Sequence, residues 1–117
     1  MYWTDYGTDK IQRANLNGTD VEDLVTTELP VPLGIALDVA GGKMYWTGTD
    51  DGAGKICRAN LDGTGVEDLI AIGTSYLYCF DAIALDVAGG KMYWTECSYP
   101  APKIQRANLN GQKLKIW

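Results

Sequence analysis

The sequence predicts an all-β fold: a β-propeller of four-stranded antiparallel meanders, with about three blades in 117 residues. Three observations carry this. Residues 37–47 are identical to residues 85–95, and the string Met-Tyr-Trp-Thr starts at positions 1, 44 and 92. The copies are dense in β-branched and aromatic residues and are separated by turn signals, while apolar residues nowhere recur at helical spacing over three turns. A unit of about 45 residues that cannot bury its own apolar faces must stack on copies of itself, and four strands in such a length make a propeller blade.

Each blade is read as strands A to D. Strand A is Gly34-Ile35-Ala36-Leu37-Asp38, matched by Ala82-Ile83-Ala84-Leu85-Asp86. Strand B is the Met-Tyr-Trp-Thr segment. Strand C starts at Lys10, Lys55 and Lys103, and strand D at Val21 and Val66. Gly41-Gly42 suits a turn between A and B that needs positive φ, and Asn17-Gly18, Asp62-Gly63 and Asn110-Gly111 are hairpin signals between C and D. Residues 1–25 then hold strands B to D of blade 1, residues 34–70 blade 2 and residues 82–117 blade 3.

Composition narrows the function classes. With 46% hydrophobic and 21% charged residues the chain is globular, not disordered. A net charge of −5 without a basic cluster argues against nucleic acid or an anionic membrane as partner. No stretch approaches the roughly 20 apolar residues of a membrane span, so no membrane insertion is expected. Histidine is absent, which removes the commonest general base and metal ligand, so neither an enzyme nor a cofactor is expected. Cysteines number three, too few for a disulfide framework.

Tyr2-Trp3-Thr4-Asp5, followed by Lys-Ile-x-Arg-Ala-Asn-Leu-Asn-Gly from Lys10, resembles the YWTD repeat, the low-density-lipoprotein-receptor class B repeat. The resemblance covers essentially the whole chain. It implies a six-bladed propeller, a non-enzymatic binding role and an extracellular setting, although no signal-peptide pattern opens the chain. One departure stands out: the motif's Asp is present at Asp5 but becomes Gly48 and Glu96 in the other copies.

Strand periodicity separates the residues that build from those that bind. Met44 and Trp46 point to one neighbouring blade, Tyr45 and Thr47 to the other. The motif residues Tyr2, Trp3, Thr4, Asp5, Tyr45, Trp46, Thr47, Tyr93, Trp94 and Thr95 are therefore read as structural, with the tryptophans as packing between blades rather than stacking platforms for a ligand. Arg13, Arg58 and Arg106 are read as blade-to-blade hydrogen-bonding or ion-pairing groups, and the acidic pairs of strand D as a solvated rim.

The A–B and C–D turns share one face of the disc and hardly vary. The B–C loops (5–9, 48–54, 96–102) and D–A connections (26–33, 71–81) share the other, and all the length variation falls there. Scaffold turns stay fixed while binding loops drift, so this is the candidate functional face. Its candidate binding residues are Tyr6, Asp50, Asp51, Tyr76, Tyr78, Phe80, Glu96 and Tyr99; loop tyrosines are a recognition composition, although they could equally plug the mouth of the disc. The acidic residues of this face lack the dense spacing of a calcium loop, so no metal is assigned. Cys79 and Cys97 lie on the same face and could form a disulfide; Cys57 replaces the Gln of the other copies and reads as a buried thiol.

The strand count is B-C-D, A-B-C-D, then A-B-C plus the tail 112–117. Three blades cannot close a ring, so a homodimer is expected, two chains head to tail forming one six-bladed disc. The tail either completes its own blade as strand D or crosses to the partner. The leading reading is a binding scaffold that recognises a protein or peptide on the variable face. A lectin-like propeller or a purely structural repeat assembly are the alternatives.

Overall fold

The structure is a computed structural model, and it describes residues 1–27, 31–50, 53–72, 80–97, 101–112 and 115–116. Eleven strands follow one another without a described helix: β1 Tyr2–Asp5, β2 Lys10–Arg13, β3 Glu22–Val25, β4 Val31–Asp38, β5 Lys43–Asp50, β6 Ala53–Asn60, β7 Glu67–Ile72, β8 Phe80–Asp86, β9 Lys91–Glu96, β10 Lys103–Asn108 and β11 Lys115–Ile116. They form three antiparallel sheets in the orders β1-β2-β3, β4-β5-β6-β7 and β11-β10-β9-β8. Each sheet is a simple meander, and the three stack as neighbouring blades of a partial propeller. The tail strand β11 pairs with β10 of its own blade, Arg106 opposite Lys115 and Gln105 opposite Ile116.

Turn chemistry explains the hairpins. The Asn17-Gly18 signal works as part of a longer loop: Gly18 N–H donates to Asn15 O at 2.9 Å and Asn15 N–H donates to Thr19 O at 3.0 Å. A type I turn is thus followed by a glycine in the left-handed region, φ 85° at Gly18 and 88° at Gly63, which re-matches the strands' twist. The A–B turn uses the same device at Gly42, φ 69°. There the Asp38 carboxylate accepts from Gly41 N–H at 2.9 Å.

Strand A begins earlier than the repeat suggests, at Val31 and Phe80. Beyond a bulge, Pro32 pairs with Gly48 and Phe80 with Glu96. The two copies share no residues at these extensions, so repeat matching could not see them. Pro32 and Phe80 are nevertheless fully buried, Phe80 within the core between blades 2 and 3.

Two cores follow from the period of two. Met44, Trp46, Cys57 and Ala59 pack with Ile11 and Val25 between blades 1 and 2. Tyr45, Ile56 and Ile70 pack with Phe80, Met92, Trp94 and Ala107 between blades 2 and 3. Blade 2, covered on both faces, is apolar at successive positions rather than alternate ones. Burying whole Trp, Tyr and Ile side chains contributes on the order of 1.5–3 kcal/mol each, so the seams, not the individual sheets, hold the fold together.

Candidate functional site

The motif residues assemble into one seam geometry that occurs twice. Thr4 Oγ1 donates to Leu33 O at 2.5 Å across the first seam, and Thr47 Oγ1 donates to Asp81 O across the second. Arg13 Nη1 donates to Leu61 O at 3.0 Å, and Arg58 Nη1 donates to Leu109 O at 3.2 Å. Each guanidinium lies over the motif tyrosine of its own blade, with Arg13, Arg58 and Arg106 at 6.0, 5.9 and 5.9 Å from the rings of Tyr2, Tyr45 and Tyr93. Arg13 and Arg58 also pair with Glu22 and Glu67 across strands C and D. These arginines tie strand C, strand D and the next blade's C–D turn together.

The motif tryptophans face the opposite way. Trp3 Nε1 donates to Gln12 Oε1 at 3.0 Å, and Trp94 Nε1 donates to Gln105 Oε1 at 2.7 Å. Gln12 Nε2 in turn donates to Asp23 Oδ1 at 2.7 Å. Trp46 breaks the pattern. Its Nε1 is buried and has no acceptor, because Cys57 stands where the glutamine would be. The Cys57 thiol is buried and lies 3.3 Å from Asp68 Oδ1 instead.

Of the loop-face candidates, Tyr6 is 68% exposed on the first B–C loop. Asp5 shapes that loop: its Oδ1 accepts from Gly7 N–H at 3.0 Å and Thr8 N–H at 3.2 Å. Its pKa is lowered, first by the Thr8 side chain, and by the Thr8 and Gly7 backbone donors and the Lys10 charge, which together outweigh an opposing desolvation. Asp23 is likewise lowered, by Lys10 and then Gln12. At neutral pH both carboxylates are charged and bonded; that contribution is lost as pH falls through their folded values, below about 4.

Two candidates do not belong on the exposed face. Phe80 is fully buried, its ring tilted against Trp94 at a centroid distance of 5.6 Å. Glu96 is 2% exposed, and one of its carboxylate oxygens is buried without a partner. Strand alternation turns Glu96 toward blade 2 along with Met92 and Trp94, so it is a seam residue. Asp50 ends β5. Asp51, Tyr76, Tyr78, Tyr99 and Cys79 lie outside the described residues. Cys97 is exposed and disulfide-bonded. Among the described residues no group of three or more His, Cys, Asp or Glu could hold a metal ion.

The structure gives the two open outer faces of the stack, expected of three blades, their residues. The open side of blade 3 presents Ala82, Ala84, Tyr93, Thr95 and Ile104 around a shallow apolar groove of about 170 Å³. Ile104 is 56% exposed, whereas Ile56, its counterpart in blade 2, is fully buried. On the far side of blade 1, Leu16 is 88% exposed, whereas its counterparts Leu61 and Leu109 pack into the seams. The repeat alignment held this signal: every residue that builds a seam on one copy must do so, or stand open, on the others.

Comparison with known proteins agrees with this geometry. Residues 1–39 and 90–116, more than half the chain, match the family described as low-density lipoprotein receptor repeat class B. The chain is 53% identical over 47 residues to mouse low-density lipoprotein receptor-related protein 5, covering 40% of this chain and 3% of that protein. It is 41% identical over 46 residues to Drosophila melanogaster nidogen, covering 39% of this chain and 3% of that protein. Among solved structures it superposes on a chain of a nidogen/laminin complex with a TM-score of 0.87 and 32% identity, over 98% of this chain and 42% of that one. A putative TolB from Agrobacterium tumefaciens, at 15% identity and a TM-score of 0.78, over 98% of this chain and 43% of that one, shares the fold. This chain thus spans only a small part of the relatives it matches. The seam motif, the three blades and the matched profile lead to one conclusion: the chain belongs to the low-density lipoprotein receptor class B repeat family.

Proposed function

We propose that this chain is a non-enzymatic propeller module that recognises a protein or peptide on its variable-loop face, and that two copies complete one six-bladed ring head to tail. The observation that carries the assembly is the match between the open and the closed seams. Tyr93, Thr95, Ile104 and Arg106 stand on blade 3 where Tyr45, Thr47, Ile56 and Arg58 receive blade 3 on blade 2. A second copy would bring Leu16 and its C–D turn to that face, placing the Leu16 carbonyl before Arg106. Gly18 supports the same reading. A Cβ on Gly111 would meet Leu69 O at 2.6 Å across a seam, whereas one on Gly18 would meet nothing within 4 Å.

The expected particle is twice the 12.8 kDa chain mass by sedimentation, reverting to monomer on Ile104→Glu with the circular dichroism unchanged. A wild-type monomer at tens of micromolar sinks the ring. Protein recognition is favoured by the structural relative, which was solved as a nidogen/laminin complex. A laminin fragment and a glycan array, run side by side, separate the readings. Saturable glycan binding with none to protein would replace this reading with the lectin-like one.

Cys79 is the proposed partner of the disulfide-bonded Cys97, since Cys57 keeps its thiol. That bond would fasten the D–A connection to the B–C loop of blade 3 and suits an oxidising compartment. Peptide mapping of unreduced protein should recover 79 linked to 97; a 57–97 peptide would overturn the pairing.

A further inference from the structure

The C–D turn of each blade carries one asparagine or aspartate before its glycine: Asn17, Asp62 and Asn110. Only the first copy reads Asn-Gly-Thr. The second has aspartate in place of asparagine, and the third has Gln112 in place of threonine. None of the other four asparagines in the chain has serine or threonine two residues on. Asn-x-Ser/Thr, with x other than proline, is the acceptor pattern for an N-linked glycan. Three letters recur by chance, so the case rests on what the turn does with them.

Asn17 is the third residue of the turn that Gly18 N–H closes on Asn15 O. Its side-chain oxygen is held: Oδ1 accepts from Thr19 N–H at 3.0 Å and from Thr19 Oγ1 at 2.6 Å. Thr19 Oγ1 in turn accepts from Asn15 Nδ2 at 3.1 Å. The Asn17 amide nitrogen donates to no described residue. Glycan attachment consumes one hydrogen of that nitrogen and leaves Oδ1 an acceptor, so the turn keeps all of these bonds when modified.

Asn17 and Thr19 are both exposed. A neighbouring blade would not change this. The turns of blades 2 and 3 pack on the preceding blade through Gly63 and Gly111, yet Asp62 and Asn110 are exposed there as well. A glycan at Asn17 therefore fits a single chain and a closed ring alike. The disulfide at Cys97 points independently to the oxidising lumen of the secretory pathway, where such glycans are attached.

We propose that Asn17 is the acceptor of a single N-linked glycan. The donor class is an oligosaccharide activated as a lipid-linked diphosphate, and the transfer is made by a separate enzyme. Asn17 Nδ2 forms a bond to the anomeric carbon and gives up one proton. The bond from that carbon to the diphosphate oxygen breaks, and the lipid diphosphate leaves with its electron pair. The glycan stands on the face of the A–B and C–D turns. It covers scaffold and leaves open the opposite, variable-loop face.

The test expresses the full chain in eukaryotic cells behind a cleavable leader and recovers it from medium and cells alike. Peptide mass spectrometry should find one glycan, removable by an N-glycan amidase that leaves aspartate at position 17. Asn17→Gln and Thr19→Ala should abolish it, whereas Thr19→Ser should retain it. Asp62→Asn should add a second glycan, because Thr64 already bonds Asp62 Oδ1 through its N–H at 2.9 Å and its hydroxyl at 2.6 Å. A wild-type chain without glycan overturns the proposal, most sharply if Asp62→Asn is modified in the same cells. A glycan that survives Thr19→Ala also overturns it, since the Asn-Gly-Thr pattern would then not be what is recognised.

Discussion

Gly63→Ala is expected to destabilise the chain by about 2–5 kcal/mol, and Gly18→Ala by only about 1–2 kcal/mol, although the two glycines are equivalent in the repeat. Both sit at positive φ, 88° and 85°, so an alanine at either pays the left-handed backbone strain. Only Gly63 also touches a neighbouring blade: its Cβ would land on the Leu24 carbonyl, closer than real Cβ atoms approach any atom. A backbone carbonyl held in β3 cannot swing aside as a flexible side chain would, so the overpacking term applies in full. Chemical denaturation of the two variants measures the difference directly. Equal losses would mean that the seam is looser than these distances require, and the stacking of blades 1 and 2 would have to be revised. The comparison also bears on assembly. In a closed ring Gly18 would face a second copy, so Gly18→Ala should weaken the dimer far more than it weakens the monomer.

The division of labour in the Tyr-Trp-Thr motif is legible from alternation alone, because a period of two leaves a strand residue no third choice of neighbour. Met44 and Trp46 pack toward blade 1 and Tyr45 toward blade 3. What the residues do not disclose is depth. Phe80 and Glu96 sit in segments where the copies diverge, and divergence reads as loop. In the structure those segments extend strand A and end strand B, so the side chains turn inward against Gly54 and Trp94. Within their own sheets Pro32 pairs with Gly48, and Phe80 with Glu96. Tyr6 remains as an exposed recognition candidate because no described residue lies above its loop for it to pack on.

Trp94→Ala and Trp46→Ala should each cost about 3–5 kcal/mol, the range for emptying a buried aromatic site. The informative comparison is with phenylalanine. Trp94→Phe removes the donor to Gln105 and leaves a glutamine oxygen buried without a partner, since Gln105 is 1% exposed. Trp46→Phe removes an Nε1–H that has no acceptor to lose. Trp94→Phe should therefore be worse by about 1–3 kcal/mol, although the two tryptophans are buried to the same degree. Cys57→Gln tests the same point from the other side. The introduced amide would accept from Trp46 Nε1–H through its oxygen and donate to Asp68 through its nitrogen, the relay that Trp3, Gln12 and Asp23 already make. An increase of about 1 kcal/mol in unfolding free energy is expected, because the exchange gives a buried donor its acceptor. In the Cys57→Gln background, Trp46→Phe should then become as costly as Trp94→Phe. A double-mutant cycle over positions 46 and 57 reads that coupling. Zero coupling would show that the Trp46 Nε1–H is satisfied by other means, and that the cysteine in blade 2 costs the seam nothing.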